Sequence, residues 1–197
     1  MHHVRFSALK SSLNRWLGHD DVPPYAGAPR PRVQSSVADL LQPDDIVLDL
    51  IVTGRNELFD DIGQHMEWKH GLPKRFVASS LARREQLGST GLGNGVAIPH
   101  ARLGEVDRVH LMYLRLKFPI AFDAPDLAPV SDVLMILAPK PASEDHLKIL
   151  AEVARMFSDA RLREQLHRCT LPSQVKQVFD RWSAFYGTSA AARAPTA

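Results

Sequence analysis

The residues of this chain best suited to chemistry lie in the run Gly88-Ser89-Thr90-Gly91-Leu92-Gly93-Asn94-Gly95-Val96-Ala97-Ile98-Pro99-His100. Glycine tolerates positive φ, so Gly91, Gly93 and Gly95 can turn backbone N–H groups outward into a concavity that suits an anion. Pro99 fixes its own φ and holds Ile98 extended, so the His100 side chain leaves a stiff platform. An imidazole with an ordinary pKa of about 6.5 is largely neutral at pH 7 and offers a nucleophilic lone pair. Such a ring beside a cradle of that size points to phosphoryl chemistry. The run fits neither a Walker A loop, which ends in Gly-Lys-Ser/Thr, nor the dinucleotide fingerprint, which opens a helix where a strand is expected here. On spacing alone His100 also reads as a surface residue or a local cap, and those alternatives stay open.

Short elements must position that loop. Ile46 to Leu50 is an apolar run of strand length, and Val52-Thr53-Gly54 reads as a turn into a helix. A helix is expected over residues 57–70, with Leu58, Phe59, Ile62 and Met66 on one stripe, and Gly71-Leu72-Pro73 ends it. A second is expected over residues 74–85, with Phe76, Val77 and Leu81 inward. The glycine-dense stretch predicts no regular structure, and residues 96–98 a short strand. Residues 109–116 and 133–137 are apolar, too short for ordinary helices, and read as central strands. Ser143 can cap a helix that buries Leu147, Leu150, Ala151, Ala154 and Phe157. Helices also fit residues 159–168 and 173–186, the second with Val175, Val178, Phe179 and Trp182 on one face. The pattern predicts one α/β domain over residues 37–186, between a flexible, proline-rich extension of residues 1–36 and a disordered tail over residues 187–197. Inside the extension, Phe6, Leu9, Leu13, Trp16 and Leu17 fall near helical spacing, although so short a helix is marginal without packing.

The chain has 197 residues, 45% of them apolar, one cysteine and a formal net charge of +2. That is enough to bury one sizeable core, and a lone Cys169 excludes an internal disulfide and a cysteine-based zinc site. The longest apolar run, Val133 to Ala138, is far below the roughly 20 residues needed to cross a bilayer, and the N-terminus has no apolar signal region. Both features predict a cytoplasmic protein without stable membrane insertion. Residues 1–36 carry net +3, residues 187–197 net +1 and the middle net −2. A basic excess spread so thinly along an arm does not predict nucleic-acid binding.

The stretch Arg84-Glu85-Gln86-Leu87-Gly88-Ser89-Thr90-Gly91-Leu92-Gly93-Asn94-Gly95-Val96-Ala97-Ile98-Pro99-His100-Ala101-Arg102 closely resembles the phosphorylation-site signature of the enzyme IIA domains of the fructose, mannitol and nitrogen-regulatory phosphotransferase systems. The likeness runs from about Ser36 to Tyr186 and includes Leu41-Gln42-Pro43, Phe122-Asp123-Ala124-Pro125-Asp126 and Ser143-Glu144-Asp145-His146-Leu147. It implies a phosphotransferase/anion-transport-protein-like α/β fold, a mixed sheet flanked by helices on both faces. It implies that His100 accepts a phosphoryl group on a ring nitrogen, as a tele-phosphohistidine, from a small histidine-containing phosphocarrier protein. In the same resemblance His146 sits across the pocket and donates to the phosphoryl oxygens. Arg84 offers a fixed, forked cation, and Thr90 adds a hydroxyl beside the loop glycines 91, 93 and 95. No cofactor and no metal is implied. With no IIB or membrane-spanning IIC sequence in the chain, the loop looks most like the nitrogen-regulatory branch, whose members signal to potassium-transport and sensor-kinase proteins. A IIA component of a fructose/mannitol-type sugar-uptake system is the alternative.

The other candidates read as structural. Arg83 and Arg84 point about 100° apart on a helix, so only one of them faces the pocket. His110 lies in a strand and reads as packed or hydrogen-bonded. His65, His70 and His167 fall on helix surfaces or ends with no partner at metal-ligand spacing. Asp123 and Asp126 flank a proline-containing loop, where a turn role outweighs acid–base work.

Overall fold

A capping box opens the described chain: Ser36 Oγ accepts the Asp39 N–H at 3.2 Å while Asp39 Oδ2 accepts the Ser36 N–H at 2.9 Å. This computed structural model describes residues 36–141 and 144–191. The capped helix is α1 (Val37–Leu40), and a 3-10 turn over Pro43–Asp45 leads into β1 (Ile46–Leu50). Next come α2 (Arg55–His70) and α3 (Lys74–Gln86), then β2 (Gly91–Gly93), β3 (Val96–Ala97), β4 (His100–Leu103), β5 (His110–Ile120) and β6 (Val130–Pro139). The chain closes with α4 (Glu144–Ser158), α5 (Ala160–Arg168) and α6 (Pro172–Ala191). The helix considered near Phe6 to Leu17 and the Ser143 cap lie outside the described residues, as do residues 192–197. The end of α6 overlaps the tail expected from Gly187.

Local chemistry sets the helix bounds. Thr53 donates both its N–H and its Oγ1–H to Glu57 Oε2 at 2.7 Å, which ties down the first turn of α2. At the other end Gly71 adopts φ +68°, and the N–H groups of Gly71 and Leu72 return to the Glu67 and Met66 carbonyls. Glycine is suited to that left-handed position, and Pro73 then starts α3. Asp159 caps α5 through the Arg161 N–H at 2.9 Å.

The six strands form one mixed sheet in the order β1-β5-β6-β3-β2, with β4 also paired to β6. β1 runs parallel to β5, β5 antiparallel to β6, and both β3 and β4 run parallel to β6. Pro99 interrupts what would otherwise be one strand, so β3 pairs with β6 at Asp132 and Val133, and β4 resumes with His100 opposite Ile136. Across β6, His110 lies opposite Leu137.

From Val133 to Ala138 β6 is wholly apolar because both faces are covered. Val133, Met135 and Leu137 join a core with Leu58, Phe59, Ile62 and Met66 of α2 and Val77 and Leu81 of α3. On the opposite face Tyr113 of β5 packs against Phe157 of α4 and Phe179 of α6, with ring centroids 6.5 and 5.7 Å away. Each large side chain buried this fully contributes about 1.5–3 kcal/mol.

Three expectations need correction. Phe76 is 37% exposed, since the buried stripe of α3 is Val77, Ala78, Leu81 and Glu85. Ala151 is exposed, and α4 buries Ile149, Leu150, Val153, Ala154, Met156 and Phe157. The glycine stretch is regular after all: Gly93 pairs with Val96, leaving Asn94-Gly95 as a two-residue hairpin loop with φ of 55° and 76°. Positive φ at both positions marks a type I′ turn, for which Asn-Gly is the favoured pair.

Candidate functional site

The last turn of α3, the strand leaving the β2–β3 hairpin and the start of β4 converge on His100, which is 9% exposed. Its Nδ1 lies 2.9 Å from the Ile98 carbonyl oxygen, and its Nε2 lies 3.1 Å from Arg84 Nε. A carbonyl only accepts and a guanidinium only donates, so these partners fix the tautomer. The ring is neutral, carries its proton on Nδ1 and directs the Nε2 lone pair toward Arg84. Arg84 Nη1 also donates to the Gly88 carbonyl at 2.9 Å, which anchors the side chain to the loop. Burial lowers the Arg84 pKa from its usual value while Glu85 opposes the shift, and the guanidinium stays charged at pH 7. Arg83 is exposed, so Arg84 is the arginine that faces the site.

The loop residues are held differently from the expectation. Thr90 donates its N–H to both carboxylate oxygens of Glu85 at 3.1 Å and its Oγ1–H to Glu85 Oε2 at 2.6 Å. The one hydroxyl proton is thus committed to Glu85, and Thr90 does not aim a donor at His100. Glu85 is itself buried, with Arg55 Nη1 3.6 Å away, and Arg55 Nη2 reaches Asp123 Oδ2 at 2.7 Å. Sequence reasoning missed Glu85, whose only signal is its place in the Arg84-Glu85 pair.

The Gly91 N–H donates to Ser89 Oγ at 3.0 Å, and a Cβ at Gly91 would sit 2.9 Å from Ala124 Cβ. Gly93 leaves room for Asp126, whose Oδ2 accepts the Asn94 N–H at 2.6 Å; that bond holds the Asp126 pKa below its ordinary value. Gly91 and Gly93 allow close packing against Ala124 and Asp126, and Gly95 completes the hairpin turn. Asp126 has the turn role expected of it, also accepting the Ala128 N–H at 3.1 Å. His146 lies in the first turn of α4, and its side chain is outside the described residues.

The remaining described histidines are partnered. His110 is buried, with its ring edge-on to His70 at 4.7 Å. His167 Nε2 lies 2.7 Å from Asp132 Oδ2, and Asp132 Oδ1 accepts the Tyr113 hydroxyl at 2.5 Å. The expectation that His65 and His70 lack a partner at metal-ligand spacing does not hold. Asp45 Oδ1 lies 2.9 Å from His65 Nε2 and 2.8 Å from His70 Nε2. Spacing along the chain could not show this, because Asp45 comes from the 3-10 turn ahead of β1 and meets α2 only in the fold.

At His100 the arrangement sets a neutral nitrogen nucleophile against a fixed cation, which suits attack on an anionic electrophile. The family model described as phosphoenolpyruvate-dependent sugar phosphotransferase system, EIIA 2, matches residues 39–182. A nitrogen regulatory protein of Bradyrhizobium diazoefficiens is 35% identical over 130 residues, which span 66% of this chain and 85% of that protein. The crystal structure of nitrogen regulatory protein IIA-Ntr from Neisseria meningitidis aligns with a TM-score of 0.69 and 37% identity over 73% of this chain and 98% of that one. The mannitol IIA structure from Escherichia coli, at 19% identity and a TM-score of 0.60, covers 71% of this chain and 98% of its own and shares the fold. No described helix is long and apolar enough to cross a membrane.

Proposed function

The chain belongs to the EIIA 2 family of the phosphoenolpyruvate-dependent sugar phosphotransferase system, and on that premise we propose that it carries a phosphoryl group on His100 Nε2 and signals by its presence or absence. The observation that carries the reading is the pair of bonds on the ring: Nδ1–H to the Ile98 carbonyl and Nε2 toward Arg84. They orient the ring and leave Nε2 as the one nitrogen with a reactive lone pair. The donor is a phosphohistidine of a small phosphocarrier protein. Its P–N bond breaks, the electron pair returns to the donor imidazole, and a new P–N bond forms from His100 Nε2 while the Nδ1 proton stays on the ring. One P–N bond replaces another, so the transfer is reversible. Arg84 swings from the ring nitrogen to the equatorial phosphoryl oxygens, and His146 donates to them from the first turn of α4. Positioning and charge stabilisation carry catalysis of this kind. Thr90 and Glu85 hold the loop that braces Arg84.

Incubation with a phosphocarrier protein, its upstream kinase and phosphoenolpyruvate should add one acid-labile phosphoryl group by intact mass. His100→Ala should abolish it, and labelling retained in that variant overturns the assignment. The nitrogen-regulatory relatives support a regulatory role over sugar uptake, with potassium-transport and sensor-kinase proteins as the targets to look for. Pull-downs that compare His100→Ala with His100→Asp separate the two: different partner sets mark signalling, and identical sets mark a relay to a sugar permease.

A further inference from the structure

Away from His100, at the C-terminal end of α2, three side chains converge for which the phosphoryl reading has no use. Asp45 is 4% exposed and accepts from two imidazoles on a single oxygen, Oδ1. The side chains of His65 and His70 are 14% and 16% exposed. One ligand atom from each of the three residues lies within 4.8 Å of the others. We infer that Asp45, His65 and His70 form a binding site for a divalent transition-metal ion of the zinc class.

The chemistry follows from the donor set. Two imidazole nitrogens and one carboxylate oxygen match the three-ligand sites that hold zinc, iron or cobalt and leave a position open for water. Magnesium and calcium require mostly oxygen ligands and are disfavoured. Around a tetrahedral ion with bonds of about 2.0–2.2 Å the ligand atoms stand ~3.3 Å apart, so each atom here moves by less than about an ångström to close on it. Each ring then shifts its proton from Nε2 to Nδ1 and turns a lone pair to the ion. The site has a wall and an open side. His110 packs edge-on against His70 at 4.7 Å and limits its swing. His65 also lines a cleft of about 300 Å³ with Val47, Leu50, Gln64 and Trp68, which opens this one ligand to solvent. Without an ion, the two ring N–H groups still satisfy the buried carboxylate, at 2.9 and 2.8 Å. The apo site is therefore preformed.

The test uses the full chain in a His100→Gln background, so that the phosphoryl-site ring does not contribute. Cobalt(II) titration should give visible ligand-field absorption that saturates at one equivalent and is displaced by zinc, with no response to magnesium. His65→Gln and His70→Gln should each weaken binding on the order of tenfold or more. Zinc should raise the melting temperature of the parent and not of these two variants. Asp45→Asn should do the same if circular dichroism shows it folded; the two glutamine variants, at partly exposed positions, decide the matter if it is not. Failure to bind cobalt, or binding undiminished in both glutamine variants, overturns the inference.

Discussion

In the resting protein Arg84 Nε donates into the lone pair of His100 Nε2 that must attack phosphorus, so the arginine both guards and serves the nucleophile. Lysine keeps the charge but loses the planar fork, the Nε donor and the second bond to Gly88. Arg84→Lys should therefore slow phosphoryl acceptance, and Arg84→Ala should slow it by about 10²–10³-fold, the usual effect of losing one preorganised donor; rapid-quench labelling measures both. Tyr113 supports a prediction of the opposite kind. Burial, and then the neighbouring Asp132, push its phenol well above the ordinary value. A raised folded-state pKa means that the stabilising contribution is complete below the unfolded value of about 10 and is lost as pH rises beyond it. Urea denaturation should show stability falling on the alkaline side of that value. Tyr113→Phe should flatten this limb while costing about 1–3 kcal/mol at pH 7, because Asp132 loses a donor. At this scale the family resemblance singled out His100 and Arg84 together, and the fold sets Arg84 Nε 3.1 Å from His100 Nε2. The sequence was opaque where the partner came from elsewhere: nothing local in Thr90 says that its hydroxyl turns to Glu85, and nothing in His65 or His70 points to Asp45.

Elements with a full apolar period and a chemical stop could be read nearly to the residue. β1 matches its expected bounds, and α2 ends at Gly71, where the chain takes the left-handed conformation. β4 escaped because a four-residue strand directly after a proline offers too little periodicity, and the β2–β3 hairpin escaped because glycine density masked the Asn94-Gly95 turn. The glycines give this scale its prediction. At Gly63 an added Cβ would sit 2.6 Å from the Lys74 carbonyl oxygen, so α2 and the start of α3 approach too closely for any side chain there. Gly63→Ala should cost about 1–3 kcal/mol by forcing the two helices apart. Gly95→Ala, which strains a φ of +76° without a close clash, should cost only about 1–2 kcal/mol. Chemical denaturation of the pair orders them.

For the molecule as a whole, the sequence supplied the layer arrangement through its family resemblance, while strand neighbours emerged only from long-range pairing. Alternating elements predict an α/β domain but do not say that β5 and β6 form the antiparallel centre with parallel strands on both sides. Nor do they show that Arg115 of β5 donates to the Leu166 and Cys169 carbonyls at 3.1 and 2.7 Å, fastening the end of α5 to the sheet. The register across β6 sets His100 beside Ile136 and His110 beside Leu137, one strand between them and their chains roughly 10 Å apart by ordinary strand spacing. Ile136 and Leu137 are consecutive on β6 and point to opposite faces, so a phosphoryl group of charge near −2 on His100 acts on the buried His110 imidazole through the sheet. The His110 ring is a native spectroscopic reporter: in a partly phosphorylated sample its carbon-bound proton resonance should split into two lines whose intensity ratio equals the modified fraction. A single unmoved line at full modification would refute this. Such a signal would follow the reaction in an unlabelled, unmutated protein while its partners are present.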